Sequence, residues 1–271
     1  MAGDIACDPA DDQYNGGNGV VQACRAKATP DLLLNAGVTA VFALGDQQYE
    51  KGTLAAFQQS YDPSWGRLKA ITRPVPGNHE YYTSGAADYY QYFDAAAGNP
   101  ATGYYSFDVG TWHVIALNSA CEAVACEGGS KQEQWLKADL AAHPAQCTLA
   151  FWHHPRFSSQ YGVDGRSAAF WTDLYAAGAD VVLNGHSHQY ERFALQTPTG
   201  AADDSHGIRE FIVGTGGKDH HTNGITRVNS RVRNYTTFGV LLLTLRPGEY
   251  DWKFVPEAGA TFTDIGSTLC Q

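Results

Sequence analysis

The sequence predicts an α/β (α+β) chain built on two packed β-sheets with helices on the outside. Three observations lead there. Over the first two-thirds of the 271 residues, short apolar β-branched runs alternate with helical patterns. From about residue 189 onward, strands follow one another with no strong helix between them. Several of the early runs stop at a glycine followed by Asp, Asn or His, the residue types that α/β folds gather at strand ends. No linker-like Pro/Ser run and no repeat interrupts the chain, so residues 1–271 are expected to form a single domain.

The elements follow in order. Asp8 to Gly19 is polar and Gly-rich and reads as a loop; Val20 to Ala36 reads as helical, with Thr29-Pro30-Asp31 marking a fresh start. Ala40 to Leu44 is a buried strand stopping at Gly45-Asp46, and Thr53 to Tyr61 is a helix. Arg73 to Val75 is a short strand leading into Pro76-Gly77-Asn78-His79-Glu80. Tyr81 to Phe93 is rich in aromatics and reads as part helix, part pocket wall. Tyr104 to Val109 and Trp112 to Leu117 form a hairpin across Gly110-Thr111. Ser130 caps a helix to about Ala142, with Glu133 completing a capping box. Thr148 to Trp152 is a strand ending in His153-His154-Pro155, and Ala168 to Ala177 a helix closed by Gly178. Val181-Val182-Leu183 is a buried strand running into Asn184-Gly185-His186-Ser187-His188. Glu191 to Gln196, Ile208 to Val213, Phe238 to Leu245 and Tyr250 to Val255 are the later strands.

Composition bounds the function. Hydrophobic residues make up 44% and charged residues 17%, a globular balance. A formal net charge of -10 excludes a general nucleic-acid scaffold binder, which needs a basic face, while leaving room for a small phosphorylated substrate drawn to a local metal cluster. No apolar run is long enough to span a membrane. The six cysteines include no CxxC pair. Cys121 and Cys126 bracket a short loop and would close easily; Cys7 with Cys24 and Cys147 with Cys270 would complete three bridges, among fifteen possible pairings. Disulfides imply an oxidising compartment, hence a secreted, periplasmic or extracellular protein. Met1-Ala2-Gly3 runs straight into Asp4 without a signal peptide, so the export signal, and with it part of a first strand, is expected to lie outside these residues.

Potential metal ligands stand at five points along the chain: Gly3-Asp4, Gly45-Asp46, Gly77-Asn78, His153 and Gly185-His186-Ser187-His188. Singly each has a plain explanation as a turn or a core histidine. Together they supply two carboxylates, an amide oxygen and three imidazoles to one edge, too many for one ion. A carboxylate shared by two ions is the economical arrangement.

This series of blocks, Gly3-Asp4, Gly45-Asp46-Gln47-Gln48-Tyr49, Gly77-Asn78-His79-Glu80, His153-His154-Pro155 and Gly185-His186-Ser187-His188, resembles the calcineurin-like metallophosphoesterases, and among them the purple acid phosphatases. The resemblance covers residues 4 to 188 and implies a four-layer sandwich of two mixed sheets flanked by helices. Most of the family carries Asp-x-His in the first block; here that position is Ala6, and Tyr49 stands where purple acid phosphatases place a tyrosine ligand. A phenol ionises at neutral or acid pH only on a strong Lewis acid, which favours Fe(III) at that site.

By resemblance, one metal is held by Asp4, Asp46, Tyr49 and His188. A second, divalent ion (Zn, Mn or Fe) is held by Asp46, Asn78, His153 and His186, with Asp46 bridging. The implied activity is hydrolysis of a small phosphate monoester by in-line attack of a metal-bound hydroxide. Asn78 and His79 are the implied substrate contacts, His79 as a contact, a proton donor or a support.

There are departures from the family pattern. The plant and mammalian enzymes have a further histidine beyond the fourth block, and Phe157 to Gly165 has none, which leaves His154 or His79 for the leaving-group proton, or no residue at all. Arg156 and Tyr161 are candidate substrate contacts, or surface residues. The plant enzymes also carry an N-terminal β-sandwich domain, for which this chain has no room.

Other features are weaker. Gly214-Thr215-Gly216-Gly217 lacks the ending of a P-loop and reads as a loop passing close to the metals; His206, His220 and His221 read as exposed. Asn234-Tyr235-Thr236 is a bare glycosylation sequon. The aromatics Trp65, Tyr81, Tyr82, Tyr89, Tyr90 and Tyr92 could stack a base or fill a wall, so a phosphodiesterase or nucleotidase is the alternative activity. A silent binding relative is the alternative from another class, against which the complete ligand set weighs.

Overall fold

The computed structural model describes residues 1–271 except Asn223. Its larger sheet has seven strands: β3 (Tyr105–Val109), β4 (Trp112–Ala116), β5 (Cys147–Phe151), β8 (Val181–Asn184), β9 (Tyr190–Phe193), β10 (Arg209–Val213) and β11 (Ser230–Asn234), in the order β11-β9-β10-β8-β5-β4-β3. The four central strands β10, β8, β5 and β4 are parallel, and the flanking pairs are antiparallel. The second sheet layer is made of two smaller sheets: β1 (Val41–Leu44) lies parallel to β2 (Thr72–Val75), and β12 (Gly239–Arg246), β13 (Glu249–Pro256) and β14 (Ile265–Leu269) form a three-stranded antiparallel meander. Residues 1–6 run extended between these parts. Ala2 bridges Ala43 in parallel, and Met1 exchanges hydrogen bonds with Leu241 in both directions.

The alternation along each central strand builds two cores. Val114, Leu149, Val181, Leu183, Phe211 and Val213 face the second sheet, where Phe42, Val75, Val240 and Leu241 meet them. Their neighbours Ile115, Ala150, Val182 and Ile212 face the helices α4 (Lys131–Ala142) and α5 (Ala168–Ala176), through Leu136, Phe170, Trp171 and Leu174. The mixed α/β fold with a large mixed sheet flanked by helices is the architecture the sequence predicts, and its seven-strand order is what the structure adds.

Some elements differ from expectation. Helix α1 covers only Pro30–Ala36, not Val20 to Ala36. Upstream, Cys24 is bonded to Cys7, and the amides of Cys24 and Arg25 donate to Lys218 and Gly217, which ties that turn-rich stretch to a distant loop. The Thr29 hydroxyl does not cap α1; it donates to Gly216 O at 2.6 Å and accepts from Trp65 Nε1 at 3.0 Å. Over Thr53 to Tyr61 the expected helix is present, capped by Thr53, with α2 (Leu54–Ala56) continuing directly into a π-helix over Phe57–Tyr61. Ser130 does cap α4, but Glu133 reaches back to the amide of Gly129 instead of closing the box on Ser130. The short hairpin of β6 (Phe157–Ser158) and β7 (Gly162–Val163), and strands β11 and β14, are additional. All three expected bridges are present: Cys7–Cys24, Cys121–Cys126 and Cys147–Cys270. Among the described residues, no helix is long and apolar enough to cross a membrane.

Candidate metal centre

The parallel strands point their C-terminal ends to one edge, and the loops leaving them carry the candidate ligating groups. Asp46 and Tyr49 follow β1, Asn78 follows β2, His153 follows β5, and His186 and His188 follow β8, while Asp4 comes from the extended first segment. Asp4, Asp46 and His186 have left-handed backbone (φ 60, 47 and 65), a conformation that costs a non-glycine residue about 1–3 kcal/mol. Crowding explains two glycines. A Cβ at Gly77 would stand 2.1 Å from Asp46 Oδ1, and one at Gly214 would stand 2.1 Å from Ser187 O and 2.9 Å from Asp4 Oδ2. The loop after β10 (Arg209–Val213) thus passes against the site, as its glycines suggest.

All seven expected ligands converge, in two groups joined by Asp46. Tyr49 Oη lies 2.9 Å from Asp4 Oδ1, 2.9 Å from His188 Nε2 and 3.2 Å from Asp46 Oδ2. The same Asp46 Oδ2 is 3.2 Å from His153 Nε2, which is 3.2 Å from Asn78 Oδ1. The His186 ring meets that of His153 edge-on at 5.0 Å. Neighbouring ligand atoms around an ion with bonds of about 2.1 Å stand about 3.0–3.4 Å apart, so these separations suit coordination. The imidazoles are oriented for it. His153 Nδ1 donates to Leu44 O at 2.9 Å and His188 Nδ1 donates to the Asp219 carboxylate, leaving Nε2 of each facing inward.

Among the described residues, no lysine or arginine pairs with Asp4 or Asp46; their ionic partners are histidines. Burial works against charge on His153, but the facing Asp46 carboxylate outweighs it and the ring is pushed up to about 9. For His188, burial is likewise outweighed by Asp4 and Asp219, and its value reaches about 10. Burial would raise Asp46, yet His153 and His79 hold it well below the usual carboxylate range. Burial, then Asp4 and Asp46, push the Tyr49 phenol far up; burial and the charge of His153 push His186 down to about 3. Without cations the cluster holds protons in their place, as a set of anionic oxygens and nitrogens built for positive charge would.

The remaining expected residues fall in different places. The His79 ring packs on Tyr49 at 4.2 Å; its Nδ1 donates to Glu50 O at 2.6 Å, and Nε2 lies 3.9 Å from Asp46 Oδ2. His154 is buried, pairs with Ser119 Oγ through Nδ1 at 2.9 Å, and touches the His153 and His186 rings. Tyr161 stacks on His186 at 4.7 Å. Arg156 does not join the cluster: its guanidinium donates to the Asp164 and Pro198 carbonyls.

Several residues near the site went unanticipated. Buried Glu80 accepts from the amides of Asp46, Gly77 and Gln48, tying two ligand loops together. His220 and His221 are not exposed loop histidines. His220 stacks on Phe238, and His221 stacks on His188 at 3.9 Å and accepts from the His188 amide. Asp219 escaped notice because it lies in a loop with no strand-end pattern; the Lys218-Asp219-His220-His221 run of polar groups after the glycine-rich stretch was the available signal.

Residues 2–190 match the calcineurin-like phosphoesterase family, and the chain belongs to it. Within that family it is similar to purple acid phosphatases. Purple acid phosphatase 15 of Arabidopsis thaliana is 32% identical over 158 residues, 49% of this chain and 29% of that protein. Purple acid phosphatase 22 of the same plant is 38% identical over 97 residues, 33% of this chain and 22% of that protein. The chain thus spans well under half the length of these curated relatives. Among solved structures, the purple acid phosphatase PPD1 from yellow lupin (Lupinus luteus) seeds superposes with a TM-score of 0.79 at 17% identity, over 98% of this chain and 52% of that one. GAP50, described as the anchor in the inner membrane complex of Plasmodium, superposes with a TM-score of 0.64 at 15% identity, over 97% and 87%. These two likenesses concern the fold.

Proposed function

We propose that this chain is an exported phosphatase that hydrolyses small phosphate monoesters at a dinuclear centre. Asp4, Asp46, Tyr49 and His188 would hold Fe(III), and Asp46, Asn78, His153 and His186 a divalent Zn, Mn or Fe ion. One observation carries the reading: a single carboxylate oxygen, Asp46 Oδ2, stands 3.2 Å from both Tyr49 Oη and His153 Nε2, where a bridging ligand belongs. Bound cations would supply charge for the phosphate oxygens and acidify the attacking water.

The protein's own groups do the rest. With its Nδ1 committed to Glu50 O, His79 presents Nε2 to the site, and its side chain keeps 18% of its surface exposed. It is therefore placed to bind a phosphate oxygen or to hand a proton to the departing ester oxygen. His154 suits a hydrogen-bonding role better, because burial and the neighbouring His153 and His186 press its value well below the ordinary range and keep it neutral. Tyr161, stacked on His186 and half exposed, would cover part of that ring from bulk water. Three disulfides and the absence of free cysteines among the described residues support an oxidising compartment.

The test is a visible spectrum of the purified protein with elemental analysis and a phosphatase assay. The expected result is a broad tyrosinate-to-iron band, lost in Tyr49→Phe, with about two metals per chain. A colourless, active protein with two Zn or Mn would remove the iron assignment alone. A protein that takes up no metal and hydrolyses no ester would overturn the whole reading.

A further inference from the structure

Beside the cluster, a pocket of about 320 Å³ opens between Asn78 and His154 on one side and a ring of residues outside the metal-binding blocks on the other. One wall is aromatic. Tyr81 is fixed by Asn118 Nδ2, which donates to its hydroxyl at 2.6 Å, and Tyr82 is 62% exposed, its ring edge-on to His79 at 5.0 Å. The loop that the Cys121–Cys126 bridge closes contributes Glu122 and the small side chains of Ala120 and Ala123 to the lining. Of the six aromatics that could have stacked a base, Trp65, Tyr89, Tyr90 and Tyr92 are buried in the core, so this wall is where a ring can be met.

The charges at the rim add a second constraint. Glu122 is exposed and has no cationic partner among the described residues, whereas Arg166 is already paired with Asp164 at 2.7 Å. With Arg166 held to Asp164, Glu122 is the unpaired charge among the residues lining the pocket, and it faces whatever lies beyond the phosphate. At this volume, near the lower end for ligand sites, the pocket suits a single substituted ring.

We propose that this pocket receives the leaving group and selects aryl phosphates whose far end is neutral or cationic over those with an anionic one. The proposal rests on the phosphoesterase reading. Metal ligands act on the phosphate of any ester; Tyr82 and Glu122 would decide which alcohol it may be attached to. Ring stacking on Tyr82 favours aryl over small alkyl esters, and Glu122 repels a carboxylate or second phosphate and attracts an ammonium.

The experiment uses the metal-loaded full chain and two substrates of matched size, tyramine O-phosphate (cationic tail) and 4-(phosphonooxy)phenylacetate (anionic tail), with ethyl phosphate as reference. In the wild type kcat/KM should favour the cationic ester by at least about fivefold at low salt, a preference that shrinks as salt rises. Glu122→Lys should abolish or reverse that ratio with metal content unchanged. Tyr82→Ala should cut both aryl esters by about tenfold relative to ethyl phosphate. Equal rates on the two aryl esters, unmoved by Glu122→Lys, would overturn the pocket's role while leaving the phosphatase intact. No hydrolysis of any ester by metal-loaded wild type would overturn the phosphoesterase reading, and this assignment with it.

Discussion

Metal uptake should expel protons, and the number can be worked from the site. In the metal-free protein His153, pushed up to about 9, and His188, pushed up to about 10, both carry a proton on each nitrogen at pH 7. Tyr49, raised far above its ordinary value, keeps its phenol proton. Each must lose one proton to coordinate, whereas Asp46, held low, and His186, at about 3, have none to give. Loading both ions at pH 7 should therefore release about three protons per chain, and the combined apparent affinity should rise by about three log units per pH unit below 9. The sign for folding runs the other way. A histidine whose folded value is raised stabilises the metal-free fold fully below about 6.5, and that contribution is lost as pH rises through 9 to 10. Titration calorimetry of the apo-protein in buffers of different ionisation enthalpy reads the proton count directly. Tyr49→Phe should lower it by about one. Two ions bound with almost no proton released would refute the reasoning, because the imidazoles would then have to be neutral beforehand.

Other outcomes follow from the same geometry. Asp46→Asn replaces one oxygen of the proposed bridging carboxylate with an amide and removes its charge, and should abolish turnover and deplete both ions by elemental analysis; unchanged activity would end the dinuclear assignment. Asp219→Ala frees His188 to rotate and should weaken metal binding about 10- to 100-fold in a chelator competition, with the fold intact by circular dichroism. Cys147–Cys270 spans 123 residues and Cys7–Cys24 spans 17. Opening the first by paired Ser substitution should therefore cost more, about 5 against about 3 kcal/mol on a chain-entropy basis, as read by denaturant unfolding.

Most of the candidate ligands were legible because they follow a short apolar strand, several of them beside a glycine, a local pattern that three-dimensional packing did not have to supply. The order of these blocks carried the rest, and with it the sandwich. Glu80 stood in plain sight beside His79, but its role depends on three amides brought together by folding. Asp219 and His221 come from the strand-rich last third, where no repeating pattern marks a loop as part of the site. The helix expected from Val20 failed for a similar reason. Its local propensity was overridden by the Cys7–Cys24 bridge and by pairing with Gly217 and Lys218, nearly 200 residues away. Strands β11 (Ser230–Asn234) and β14 (Ile265–Leu269) lie at sheet edges, and with one or both faces in solvent their residues need not be apolar.

The left-handed backbone at Asp4, Asp46 and His186 limits how this centre can be rewritten. Such positions accept Asn, Asp, His or Gly far more readily than β-branched or long side chains. Exchanging a ligand there for Glu or Cys changes the donor atom and also sets the peptide against its own conformation. The alphabet available for altering the metal preference is thus narrow at these three, among them Asp46, the carboxylate proposed to bridge the two ions. Tyr49, Asn78, His153 and His188 are absent from the positive-φ set and stand outside that restriction. A redesign, or natural divergence, would find its freedom at those four.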